Sequence, residues 1–171
     1  MECTTIEKLV QRIKDVDKQY DLDKIMQAYT LADNAHEGQV RSSGDPYISH
    51  PLAVASILLD YCMDTDTIVA ALLHDVVEDT AVTLEELARE FPEEVVEVVR
   101  LLTHEDSADS SNSDYFSYLL PIKAHPIAKK VKLADIAHNS DQSRCAGSGL
   151  TEEQLSYWKQ KYQKAIEILS E

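Results

Sequence analysis

The chain predicts an all-α, single-domain bundle of about eight to ten helices, an expectation resting on caps, breakers and periodicity. Only four Gly and five Pro interrupt its 171 residues. The stretches between them are rich in Ala, Leu, Glu, Lys and Val, which favours helix. Apolar residues recur at helical spacing, and no alternating run is long enough for a confident strand. The length suits one domain, residues 1–171, with a sizeable core.

Taken in order, the elements follow from local signals. Thr4 with Glu7 resembles a capping box, and Ile6, Leu9, Val10 and Ile13 then repeat at helical spacing. A second helix is expected from about Asp21 to His36, with Leu22, Ile25, Tyr29 and Ala32 on one face. Gly38 and the segment RSSGDP (41–46) mark a loop. Ser49 is placed to cap a third helix, with Pro51 in its first turn, running to about Cys62. A fourth helix is expected over about 65–79. Thr83 with Glu86 forms another capping-box pattern, for a helix ending near Phe91. Pro92 opens the next, with Val95, Val96, Val99 and Leu102 inward. Residues 104–114, HEDSADSSNSD, read as an exposed loop. Helical patterning resumes at Tyr115, and Pro121 is expected to end or kink it. Pro126 starts a helix through Asn139. After a loop with Gly147 and Gly149, Thr151 and Gln154 cap a last amphipathic helix. Its inward positions are Leu155, Trp158, Tyr162 and Leu169, with Trp158 and Tyr162 suited to the core or to a homodimer contact. No internal repeat is found.

The formal net charge is −15. Such an acidic surface argues against nucleic acid and anionic membrane as partners. It disfavours an anionic substrate too, unless a metal and a few local cations reverse the sign inside one pocket. The three Cys form no CxxC pair and read as free thiols of a reducing cytoplasm. The segment MECTTIEKLV has no basic region followed by an apolar core, so no secretory leader is expected. No apolar run is long enough to span a bilayer.

The most informative stretch is AALLHDVVEDT, residues 70–80. Leu72, Leu73, Val76 and Val77 surround its centre on nearly every side, which marks a buried helix. Yet His74, Asp75, Glu78 and Asp79 sit within it. Spacings of three and four residues put Asp75 near Glu78 and Asp79, and His74 near Glu78. Buried carboxylates are paired, protonated or bound to a metal, and the run holds no Lys or Arg. A cation from outside the chain is the reading that follows. Further ligands are sought among other His and Asp residues in apolar helical settings. His50 in YISHPLAVA and Asp135 in VKLADIA qualify. His50, His74, Asp75 and Asp135 together offer two nitrogen and two oxygen ligands from three helices. That mixture suits Mn, Fe, Ni or Zn rather than Ca or Mg. A lone buried His or Asp is ordinarily a satisfied core residue, so the weight lies on the combination. His36 reads as structural, and His104 and His125 as surface residues. The stretch PEEVVEVVR reads as a solvated helix face.

These segments resemble the HD-domain metal phosphohydrolases, and more narrowly the hydrolase domain of RelA/SpoT-type alarmone enzymes. The matching residues are AHEGQVRSSGDPYISHP (35–51), AALLHDVVEDT (70–80) and VKLADIAHN (131–139). The likeness covers about residues 25–140, and the length is similar to that of the stand-alone small alarmone hydrolases. It implies an HD fold, a metal on His50, His74, Asp75 and Asp135, and a catalytic role for Glu78 and Asp79. It places Arg41, Ser43 and Asn139 at nucleotide-binding positions. Asn139 lies four residues after Asp135, on the same helix face. His138 shares that turn, suited to a phosphate contact or to support of a ligand. Lys132, three residues before Asp135, is also placed to reach an anion. The sequence departs from the family pattern at Ser42, where a Lys often stands. It departs again at Ile136 and Asp141, where larger members carry Arg.

The implied activity is a Mn-dependent removal of the 3′-diphosphate from guanosine tetra- or pentaphosphate by a metal-activated water. Two other readings stand beside it. One is a phosphatase or phosphodiesterase of the same fold acting on another nucleotide, motivated by the missing cations. The other is a catalytically silent nucleotide sensor. The expected location is the cytoplasm.

Overall fold

The most apolar run of the sequence becomes the centre of the molecule. In the computed structural model, residues 5–16, 19–41, 43–104, 112–140 and 151–171 are described, with backbone alone for 112–114, 154, 155 and 158. Among them, ten helices follow one another: α1 (Ile6–Asp15), α2 (Leu22–Ala35), α3 (Ser49–Asp60), α4 (Thr65–Leu73), α5 (Val76–Asp79), α6 (Leu84–Glu90), α7 (Glu93–Leu102), α8 (Asn112–Ala124), α9 (Pro126–Asn139) and α10 (Glu152–Ser170). The described part is therefore all-α, as its composition requires. The one β feature among these residues is an isolated bridge between Val40 and Pro46.

Every residue of α4 from Ile68 to Leu73 is fully buried. Side chains on all sides of a helix can be buried only if neighbours surround it. α4 accordingly packs against α2, α3, α7 and α9. Burying each large side chain here contributes about 1.5–3 kcal/mol. The Asp64 carboxylate caps the helix by accepting from the Thr67 N–H at 3.0 Å. α3, nearly as buried, lies between α4, α9 and α1. Arg12 of α1 ties to α3 through Ser56 and Asp60. α8, α9 and α10 pack on one another on the other side of the site.

Several boundaries differ from the sequence expectation. Thr5, not Thr4, caps α1; its side chain accepts from Lys8 N–H, and Glu7 is one residue too early to answer it. Ser49 is the first residue of α3 rather than its cap, and its hydroxyl donates to the Pro46 carbonyl at 2.7 Å. The Thr83–Glu86 capping box forms in both directions. α7 buries Val95, Val98, Val99 and Leu102, leaving Val96 half-buried, because spacings of three, four and seven from Val95 select Val98 instead. α8 already begins at Asn112, inside the segment expected to be loop, and runs through Pro121. Leu119 and Ile122 are both fully buried and hold the helix on either side of the exposed proline. His125 is not a free surface residue; its ring accepts from the Ala128 N–H as the cap of α9. In α10, Ala165 and Leu169 are buried and Tyr162 half-buried. Leu155, Trp158, the Gly147–Gly149 loop, Ser42 and Asp141 lie outside what is described. So does most of 104–114.

The largest correction concerns the expected helix 65–79. It breaks at His74 and Asp75, which form a turn between α4 and α5, with Asp75 at φ −103° and ψ −1°. α5 picks up from that turn through the Asp79 N–H to Asp75 carbonyl bond of 2.9 Å. The loop expected around 41–46 is present, and its ends are drawn into a small hairpin by the isolated Val40–Pro46 bridge. Arg41 N–H donates to Asp45 O at 2.9 Å and Tyr47 N–H to Gln39 O at 2.9 Å. Gly44, at φ +91°, takes the left-handed conformation that lets this chain reverse.

Candidate metal centre and nucleotide site

Three elements bring four side chains together. The first turn of α3 supplies His50, the α4–α5 turn His74 and Asp75, and the last turns of α9 Asp135. One ligand atom from each lies within 4.8 Å of the others. His50 Nε2 is 2.8 Å from Asp135 Oδ1 and 3.6 Å from Asp75 Oδ2. His74 Nε2 is 3.0 Å from Asp75 Oδ2 and 3.5 Å from Asp135 Oδ1. His50, His74 and Asp135 are buried, and the Asp75 side chain keeps 14% of its surface.

Local bonding fixes which atoms face inward. His74 Nδ1 sits 2.6 Å from the Ala71 carbonyl, which only accepts, so Nδ1 carries the hydrogen. Nε2 is then the nitrogen aimed at the two carboxylates, 3.0 Å from Asp75 Oδ2 and 3.5 Å from Asp135 Oδ1. It is one of two buried side-chain nitrogens among the described residues that have no hydrogen-bond partner; His36 Nε2 is the other. Two anionic oxygens facing this nitrogen call for a positive charge between them, a proton on Nε2 when no ion is bound or a metal ion in its place. His50 Nδ1 is 2.7 Å from His138 Nδ1, so one of the two donates and the other accepts. With His50 Nε2 as ligand, the hydrogen belongs on His50 Nδ1, and His138 accepts it. These are the supports that metal-bound imidazoles ordinarily have.

Titration behaviour points the same way. Burial opposes charge on His74, but the Asp75 and Asp135 carboxylates hold its pKa well above the usual value. Burial lowers the pKa of His50 despite Asp135 beside it. Burial would raise Asp75 and Asp135, yet His74 holds the first below the carboxylate range and Lys132 the second. The centre thus keeps two carboxylates ionised and draws positive charge into the space between them. Two imidazoles and two carboxylates fit a divalent transition ion.

Glu78 and Asp79 lie beside this centre but are exposed as residues, not buried as the apolar surroundings in sequence had suggested. A second group of oxygens, from Asp75, Glu78 and Asp79, also falls within 4.8 Å. Glu78 Oε1 accepts from the His104 backbone N–H at 2.6 Å. Loss of solvent around its carboxyl, with Asp75 and Asp79 nearby, pushes its pKa up to about 7. Burial and Asp75 also raise Asp79.

The expected nucleotide residues divide. Arg41 leaves the hairpin to donate to Asn139 Oδ1 at 2.7 Å, and Asn139 Nδ2 donates to Asp135 Oδ1 at 3.2 Å. Lys132 donates to Asp135 Oδ2 at 3.1 Å, with the Tyr115 and Tyr118 rings 5.7 and 5.4 Å away. His138 supports His50 from behind. Ser43, by contrast, is exposed, and its hydroxyl donates to Asp45 Oδ2 at 2.9 Å. Ile136 is wholly buried, so this departure from the family pattern falls in the core. His36 is buried, as a structural reading requires. His104 is half-buried rather than on the surface, its ring 4.7 Å from that of Tyr118.

Sequence reasoning missed Tyr47 and Gln39. The Tyr47 hydroxyl donates to Asp75 Oδ2 at 2.6 Å, and Gln39 Nε2 donates to the Asp79 carbonyl at 2.9 Å. Burial and the nearby carboxylates hold the Tyr47 pKa far above its ordinary value, so it remains a phenol and a donor. Both residues lie in the hairpin before α3, where helical spacing predicts nothing.

A bundle whose centre holds a His/Asp cluster of this order defines the class of HD proteins. The HD domain family matches residues 28–118, and the chain belongs to it. HD domains bind a divalent metal, and the cluster here could hold one. The chain is 41% identical over 138 residues to the "Probable GTP pyrophosphokinase" of Mycobacterium leprae, covering 78% of this chain and 18% of that protein. It is 37% identical over 139 residues to the "Bifunctional (p)ppGpp synthase/hydrolase SpoT" of Escherichia coli K12, covering 78% and 20%. The chain thus spans about a fifth of the length of these relatives. Among solved structures it is similar to one described as "A metazoan ortholog of SpoT hydrolyzes ppGpp and plays a role in starvation responses". That match has a TM-score of 0.78 and 28% identity, over 89% of this chain and 88% of the other. No helix among the described residues is long and apolar enough to cross a membrane.

Proposed function

We propose that this protein is a Mn-dependent phosphohydrolase that removes the 3′-diphosphate from guanosine tetra- or pentaphosphate. One observation carries the hydrolase reading: His50, His74, Asp75 and Asp135 each turn one ligand atom into a common space, all within 4.8 Å of one another. The solved relative described as hydrolysing ppGpp supports the substrate, and so do relatives named (p)ppGpp hydrolases.

His50, His74, Asp75 and Asp135 would hold the ion. A bound divalent ion supplies an activated water and polarises a phosphoryl oxygen. Glu78, with a pKa near neutrality, is suited to take the proton of the attacking water. Asp79, beside it, carries a second carboxylate to the same side. Arg41 offers a planar cation for stacking on the base or contact with phosphate. Asn139 links Arg41 to Asp135 Oδ1 and Lys132 reaches Asp135 Oδ2, so both are placed to meet the diphosphate beside the centre. The same reading places the protein in the cytoplasm, where such nucleotides are made and consumed.

The test is a panel assay. Mn-loaded protein is given guanosine 3′,5′-bis(diphosphate), other guanosine and adenosine polyphosphates, and nucleoside monophosphates. Pyrophosphate and guanosine 5′-diphosphate should appear from the first, and His74→Ala should abolish both. Turnover of another nucleotide with the alarmone untouched would overturn the substrate. Lys132 is engaged by Asp135, which favours a less phosphorylated nucleotide as the second reading.

A further inference from the structure

Asp75 is the N-cap residue of α5, yet its side chain makes no cap hydrogen bond. An Asp in that position ordinarily accepts from the N–H two or three residues on. Here the carboxylate is turned into the metal centre, and its own helix does not hold it. The group that does hold it comes from the hairpin. Tyr47 donates to Oδ2 at 2.6 Å, the same oxygen that lies 3.0 Å from His74 Nε2 and 3.6 Å from His50 Nε2.

Tyr47 is itself firmly placed. Its backbone N–H is bound to Gln39 O, and its ring lies 4.6 Å from that of the buried His36. His36 Nδ1 is 3.0 Å from Gln39 Oε1, whose amide Nε2 donates to the Asp79 carbonyl. Arg41 places its guanidinium carbon 5.8 Å from the centre of the Tyr47 ring. One side chain therefore touches a metal-site carboxylate with its hydroxyl and the proposed nucleotide arginine with its ring.

We propose that Tyr47 is a positioning residue: its hydroxyl occupies one lone pair of Asp75 Oδ2 and leaves the other for the cation, while its ring props Arg41. The hydroxyl stops the carboxylate from rotating back to cap α5. The ring sets where Arg41 stands over the substrate. The two roles separate by substitution, because Phe keeps the ring and loses the donor.

This inference rests on the metal-site reading, so the experiment carries a control for that reading. Mn affinity is measured by calorimetry on the full chain for wild type, Tyr47→Phe, Tyr47→Leu and His74→Ala. Supporting residues behind a metal ligand are typically worth about 10–100-fold in affinity or activity. Tyr47→Phe should weaken Mn binding by about tenfold or more, on that scale, and lower kcat with KM for the nucleotide unchanged. Tyr47→Leu should do the same and raise KM as well. Unchanged Mn affinity and kcat in Tyr47→Phe overturn the proposal, and so does an effect confined to KM, which would make Tyr47 a substrate contact. If Tyr47→Leu does not fold, the isosteric Phe variant decides alone. Wild-type Mn binding by His74→Ala would instead overturn the metal site itself.

Discussion

Glu78 sits where its proposed role as base and the stability of the fold pull against each other. Its carboxyl loses solvent, receives the His104 N–H, and has Asp75 and Asp79 for neighbours, with the net result a pKa of about 7. An acid raised in the folded state binds its proton more tightly there than in the unfolded chain. Its contribution to stability is therefore present below the ordinary Glu pKa of about 4.3 and is lost as pH rises through about 7. Glu78→Gln removes that dependence. In metal-free protein, thermal unfolding should show the variant gaining on wild type between about pH 4 and pH 7, the window the two pKa values bracket. Parallel profiles for the two proteins would show that Glu78 titrates normally. With Mn present the same substitution should keep the metal and lose turnover, since Gln cannot accept the proton. Retained turnover would give the role of base to Asp79.

α4 carries the core and also aims His74. Leu72 is fully buried within it, so Leu72→Ala should cost about 2–5 kcal/mol in denaturant unfolding. A loss under about 1 kcal/mol would mean that the neighbours collapse onto the gap, against the usual behaviour of close-packed interiors. The existence of α4 was legible because a run of apolar residues without Gly or Pro has few other fates. The break after Leu73 was not legible. Every residue of LLHDVVED tolerates helix, and the turn at His74–Asp75 is set by the inward bonding of their side chains to Ala71, Tyr47 and the facing helices. Pro121 did not end its helix: sequence sees the missing N–H, but not the buried Leu119 and Ile122 that carry α8 on through it. The cap of α1 shifted by one residue because Thr4 and Thr5 stand in a row and only the folded chain chooses between them, whereas α3 begins at Ser49 with Ile48 as its cap residue and the Ser49 hydroxyl turned back to Pro46 O.

At the scale of the whole molecule, the His/Asp cluster that could hold a metal was readable and the proposed nucleotide side was less so. His50, His74, Asp75 and Asp135 betray themselves as polar residues in apolar runs, a signal that survives in one dimension. Tyr47, Gln39 and the His104 N–H join them through a hairpin and a helix end, so no spacing rule reaches them. The same convergence makes the cation part of the fold's stability. A chain of net charge −15 that gathers four side chains from three elements, two of them carboxylates, should be held together by the ion that neutralises them. Binding to the folded state alone stabilises by about 4 kcal/mol at a thousandfold excess over Kd. Mn should therefore raise the unfolding temperature, and EDTA should reverse the rise. Sodium chloride at matched ionic strength screens the surface without filling the centre, and should give a smaller shift. His74→Ala removes one ligand and leaves the acidic surface intact, so it should keep the sodium effect and lose most of the Mn effect. An equal Mn shift in His74→Ala and wild type would trace the stabilisation to the acidic surface rather than to the four converging side chains.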